Sequence, residues 1–123
     1  MKSLLMCAIA ALLSFAAHAE ESIWPGEYAG DCGNKVQCII EIDDSGGDKV
    51  GVKLVVANRI DFNDVKCKLE GRFSRSAVLG ISGEFKGAPE VLIGRYREGV
   101  EVFGIPKKAC GVALNKKYVM FGD

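Results

Sequence analysis

A single histidine occurs in the chain, His18, and it precedes the stretch that reads as folded protein. Threonine is absent, tryptophan occurs once and proline three times. Without histidine the folded part cannot assemble a Ser-His-Asp or Cys-His system. The usual histidine-containing zinc hydrolase site is excluded with it. No run of five or more like charges occurs and the formal net charge is +0, so no bulk positive field draws the chain to nucleic acid. Long helices are also excluded, because the 15 glycines recur every few residues and each weakens a helix.

The longest apolar run sits at the start. Lys2 is followed by a nearly unbroken apolar stretch from Leu4 to Phe15, then Ala17-His18-Ala19, then Glu20 and Glu21. This is the pattern of a cleavable secretory signal over residues 1–19. The run falls short of the roughly 20 residues that span a bilayer. Cys7 precedes most of the run, so cleavage beside it would leave no working signal, which argues against a lipid-attachment site. The remainder, residues 20–123, is one domain with no transmembrane segment, expected in the periplasm or the secreted fraction. Losing residues 1–19 removes Lys2 and no carboxylate, leaving the exported part with a slight negative balance.

Four cysteines remain: Cys32, Cys38, Cys67 and Cys110. An even number in an exported domain reads as two disulfides. Of the three pairings, proximity favours Cys32–Cys38, with Gly33 and Asn34 turning the chain, and Cys67–Cys110 then follows. Their spacing lacks the paired C-x2-C clips of a four-thiolate zinc site.

The domain reads as all-β. Val36, Cys38, Ile40 and Ile42 alternate with polar neighbours, as do Val50, Val52, Leu54 and Val56, with turn chemistry from Asp43 to Asp48 between them. Val65 to Phe73 alternates most cleanly. Shorter runs cover Ala77 to Ile81, Glu90 to Tyr96 and Gly99 to Ile105, with Glu27 to Cys32 as the first strand and Lys116 to Phe121 as the last. About eight strands predict a small antiparallel barrel or a two-sheet sandwich. Strand glycines (Gly51, Gly71, Gly80, Gly94, Gly104) favour the barrel, whose walls bend sharply. Outward Lys, Glu and Arg argue against a membrane-spanning barrel, which needs an apolar outer band.

Few residues offer chemistry. Ser74 and Ser76 flank Arg75 in what reads as a turn, and Ser82 lies near Lys86. Asp43, Asp44, Ser45 and Asp48 could offer oxygens to calcium, as could Asp61, Asn63 and Asp64, but neither set follows the EF-hand order. No cofactor is called for. Two basic groups stand out: Lys66, Lys68 and Arg72 on one strand face, and Lys107, Lys108, Lys116 and Lys117 around Cys110. A Cys67–Cys110 bond makes them neighbours and a candidate surface for an anionic partner.

Trp24-Pro25-Gly26-Glu27-Tyr28-Ala29-Gly30 opens the domain, suited to closing one end of a barrel. This opening, the short strands and the late cysteine together resemble small bacterial envelope barrels: lipocalin-like folds and periplasmic inhibitors of lysozyme or proteases. The resemblance is one of architecture. The lipocalin Gly-x-Trp is missing, since Trp24 precedes its glycine, and no inhibitor motif carries a residue role across. A disulfide-stapled scaffold without the usual catalytic residues, carrying these basic clusters, points to a non-enzymatic binding module that grips a protein or an envelope glycan or lipid component. A carrier of an apolar ligand, or a histidine-free enzyme, are the alternatives. Intact-mass measurement of the exported protein is expected to show an N-terminus at Glu20 and no thiol reactive before reduction.

Overall fold

Strict alternation dictates the architecture. A period of two puts every second side chain on one face of a strand, and eight successive strands here close on themselves so that this face becomes the interior. The computed structural model describes residues 25–33, 35–44, 47–76 and 80–120. The signal segment, Trp24, Ser45 and the run 77–79 lie outside these residues. The strands are β1 (Gly26–Gly30), β2 (Val36–Asp43), β3 (Lys49–Asn58), β4 (Val65–Ser76), β5 (Gly80–Phe85), β6 (Ala88–Tyr96), β7 (Gly99–Phe103) and β8 (Lys117–Met120). Each pairs antiparallel with its sequence neighbour, and β8 returns to β1 through Tyr28 opposite Met120 and Ala29 opposite Val119. Among the described residues each strand is hydrogen-bonded to a neighbour on both sides, so the sheet closes into a barrel rather than a sandwich.

The register explains the core. Ile40 faces Leu54 and Ile42 faces Val52 across β2 and β3, while Leu54 meets Leu69 and Val50 meets Phe73 across β3 and β4. All of these are buried. A slip of one residue would turn the whole set outward. The outer wall is polar along the matching row, where Glu27, Glu41, Lys53 and Glu70 stand in register across four strands. The β3–β4 register shifts between Val56 and Ala57, with Lys66 as the extra residue on β4; both Val56 and Ala57 are buried there, and Val56 belongs to the core. Phe73 and Phe85 pack with ring centroids 5.1 Å apart. Gly83 makes room for them, since a Cβ there would sit 2.8 Å from the Phe73 ring.

Several boundaries differ from the sequence-based expectation. β4 continues through Ser74, Arg75 and Ser76, which therefore end a strand rather than form a turn. β5 runs through Ser82-Gly83-Glu84, a composition that reads as turn but pairs with β6. β1 stops at Gly30, before Cys32.

Strand direction sorts the connections into two ends. Residues 31–35, 59–64, 86–87 and 104–116 gather at one end, together with both disulfides: Cys32–Cys38 and Cys67–Cys110, with Cα atoms 5.8 and 5.6 Å apart. We refer to it as the stapled end. At the opposite end Arg75, in register with the inward Ile81, forms an ion pair with Asp44.

Residues 104–116 form a lid across the stapled end. Ile105 and Leu114 are buried in the common core. The Asn115 amide pairs with both backbone groups of Ile105, accepting from its N–H at 2.9 Å and donating to its carbonyl at 3.0 Å. It thereby substitutes for a rung of sheet. Tyr118, fully buried, donates its hydroxyl to the Leu114 carbonyl at 2.7 Å. Its ring lies against Gly30, where a Cβ would approach it to 2.8 Å.

Burial holds the Tyr118 phenol well above its ordinary value; Tyr28 is raised for the same reason, partly offset by the Arg95 guanidinium. The folded state thus keeps protons that the unfolded chain gives up near about pH 10. The associated stability is complete below that pH and is lost as pH rises above it. Tyr118→Phe is expected to cost about 1–3 kcal/mol by leaving the Leu114 carbonyl unpartnered, and to reduce the alkaline loss. Urea unfolding at neutral and alkaline pH checks both.

Candidate functional site

The stapled end carries an arrangement that packing alone does not account for. Between β3 and β4 the chain runs Asn58-Arg59-Ile60-Asp61-Phe62-Asn63-Asp64, polar residues interleaved with two large apolar ones. Water should drive Ile60 and Phe62 inward. Instead Ile60 is 96% exposed and Phe62 45%, and Val65, just beyond, is 48% exposed.

This exposure belongs to a loop with a defined course. The Asn58 side-chain oxygen accepts from the N–H groups of Ile60 (2.8 Å) and Asp61 (3.2 Å), and Asp61 accepts from Asn63 N–H at 3.1 Å. Such side-chain turns replace the backbone partners that a loop lacks. Backbone bonds from Asn58 N–H to Asp64 and from Asp64 N–H to Asp61 close the loop on itself. Arg59 then ties it to the neighbouring β1–β2 connection. Its N–H donates to the Lys35 carbonyl, and its guanidinium meets the Asp31 carboxylate at 2.7 Å and the Gly33 carbonyl at 3.3 Å. That connection is itself held by Cys32–Cys38.

The basic residues singled out from the sequence divide between two places. The Cys67–Cys110 bond joins the start of β4 to the short 3-10 turn Lys107–Ala109, so Lys66, Lys107 and Lys108 share the stapled end. Lys66 pairs with Asp64 at 3.0 Å and Lys68 with Glu70 at 3.2 Å. Lys107 and Lys108 are exposed and make no ion pair among the described residues. Lys116 donates to the Asp31 carbonyl at 2.5 Å. Lys117 and Arg72 stand apart on the barrel wall. Lys117 lies 4.2 Å over the Tyr96 ring. Arg72 borders a shallow groove on the outer face with Lys49, Ser74, Ser82, Glu84 and Glu90.

That groove places Lys49 Nζ 2.7 Å from Ser74 Oγ, a contact the sequence did not suggest. A lysine that activates serine needs a desolvated ammonium, and Lys49 is exposed. The contact is a surface hydrogen bond. The two oxygen-rich loops spend carboxylates internally, Asp44 on Arg75 and Asp64 on Lys66. No group of three or more His, Cys, Asp or Glu side chains among the described residues could hold a metal ion. All four described cysteines are disulfide-bonded.

Charge is uneven along the barrel axis. The described connections at the stapled end hold six cationic side chains (Lys35, Arg59, Lys86, Lys107, Lys108 and Lys116) against three carboxylates (Asp31, Asp61 and Asp64). Those at the far end hold Asp44, Asp48 and Glu98 against Arg97, and Asp44 is neutralised there by Arg75. No protein-family model, curated protein or solved structure matches the chain. The arrangement is therefore read from its own chemistry: an apolar tip on a pinned loop, at the end that also carries exposed lysines and both disulfides of the described residues.

Asn58→Ala is expected to loosen this loop without unfolding the barrel. Loss of its two acceptor bonds should cost about 1 kcal/mol. Amide hydrogen exchange of Ile60 and Asp61 should accelerate at least several-fold while the core amides of Leu54 and Leu69 stay protected.

Proposed function

We propose that this protein is an exported, non-enzymatic binding module of the bacterial envelope, acting in the periplasm or outside the cell, and that it engages its partner through the stapled end. The observation that carries this reading is Ile60, 96% exposed on a loop whose backbone is fixed by Asn58, Asp61 and Arg59. Holding a large apolar side chain in water is unfavourable by up to about 2–3 kcal/mol relative to burial. An ordered loop that does so fits a surface awaiting a partner. Pre-organisation lowers the entropy lost on binding.

The carrier alternative has less support. The inward side chains from β1 to β8 join with Ile105 and Leu114 in one buried cluster, which fits a barrel filled by its own residues. Support for an enzyme is weaker still, given the disulfide-bonded cysteines and the exposed Lys49–Ser74 pair. An inhibitor that seats its loop in the cleft of a hydrolase is the most specific form of the binding reading.

The test compares wild-type protein, immobilised with its disulfides intact, with Ile60→Asp. An envelope component retained by the wild type, rebinding after purification and weakened at least tenfold by Ile60→Asp, is the expected result. Equal retention by both proteins overturns the assignment to this end. If purified lysozymes and secreted proteases keep full activity at micromolar protein, the inhibitor form fails.

A further inference from the structure

We propose that the stapled end docks on a bilayer surface containing anionic phospholipid, with Ile60 and Phe62 entering the headgroup layer. This deepens the binding reading above and rests on it. Three observations favour lipid over a protein partner. The first is exposure without freedom: Ile60 and Phe62 are exposed on a loop whose backbone is held by Asn58 and Asp61, so they can enter a soft layer without refolding.

The second is the kind of cation around them. Protein interfaces are depleted in lysine and enriched in arginine. Here Lys35, Lys86, Lys107 and Lys108 lie in connections at the same end of the barrel as the tip, all exposed and none in an ion pair among the described residues, while the one arginine of these connections, Arg59, is tied to Asp31. Lysine acts as a point charge on a flexible stem, which suits a diffuse field of lipid phosphates and lets the ammonium stay in water as the tip descends.

The third is direction. Cations outnumber carboxylates two to one in the described stapled-end connections, whereas the far end is close to balanced once Arg75 is set against Asp44, so a negative surface attracts the stapled end first. Each lysine held near an anionic surface strengthens binding by up to about fivefold at ordinary ionic strength. Burial of apolar area from Ile60 and Phe62 adds to this.

The experiment is co-sedimentation of the disulfide-bonded protein with vesicles of phosphatidylcholine alone or mixed with phosphatidylglycerol. Wild-type protein is expected to pellet with the mixed vesicles, to release as salt rises, and to ignore phosphatidylcholine alone. Ile60→Asp combined with Phe62→Asp, and separately Lys107→Glu combined with Lys108→Glu, should each weaken binding about tenfold or more. All four positions are exposed, so unchanged circular dichroism and melting confirm that the barrel persists. Failure of wild-type protein to bind mixed vesicles, or binding that neither variant weakens, overturns the proposal. If vesicles are ignored while an identified envelope protein is captured and lost with the same substitutions, the lipid assignment falls and the broader binding reading stands.

Discussion

The Cys67–Cys110 bond is the constraint on which the stapled end depends. It joins residues 43 positions apart, and on the chain-entropy account a closed loop of that length stabilises the fold by about 4 kcal/mol. The noncovalent contacts that seat the lid are individually smaller: the Tyr118–Leu114 hydrogen bond and the Asn115–Ile105 pair contribute about 1 kcal/mol per bond. The cross-link therefore outweighs any one of them. Through it, the first residues of β4 and the 104–116 segment form one rigid piece, and the β3–β4 loop is anchored where it enters β4.

That anchoring allows the loop to keep apolar side chains in water. A free loop carrying isoleucine and phenylalanine would gain by folding them against the nearest apolar surface. Here the backbone has little freedom to do so. Asn58 and Asp61 fix its turns, Arg59 fastens it to the Asp31–Lys35 connection, and Cys32–Cys38 holds that connection in turn. Stability concentrated at one end thus becomes exposure at the same end. This is the reverse of the usual relation, in which the most tightly held part of a small domain is also its driest.

Much of the barrel was legible in the sequence because a period of two leaves little freedom. Val50 to Val56 and Leu69 to Phe73 declare their inward faces, while Val65, expected on the same face, is 48% exposed because the β3–β4 register shifts before it; the cysteine spacing favours the pairs that form. β5 was not legible. Ser82-Gly83-Glu84 has turn composition, and its strand state comes from pairing with β6 and from the room Gly83 leaves for Phe73. The Arg75–Asp44 pair was hidden because it depends on the register of β4 with β5. The candidate site was half legible. Lysines flanking Cys67 and Cys110 could be foreseen as neighbours, and the structure separates Lys117 and Arg72 from them. Ile60 and Phe62 escaped notice because an apolar residue ordinarily signals burial. The only local cue to the contrary is the placement of Asn58 and Asp61, and those read as turn formers only once the end of β3 is known.

The meeting of the first and last strands has a practical consequence. β1 begins at Gly26 and β8 ends at Met120, and Tyr28 pairs with Met120, so both ends of the described chain leave the barrel on the side away from the disulfides. Coupling through either terminus is therefore vectorial. A fluorophore, a biosensor chip or a fused domain attached there acts as a handle, with the length of the barrel as spacer and the Ile60 tip presented outward.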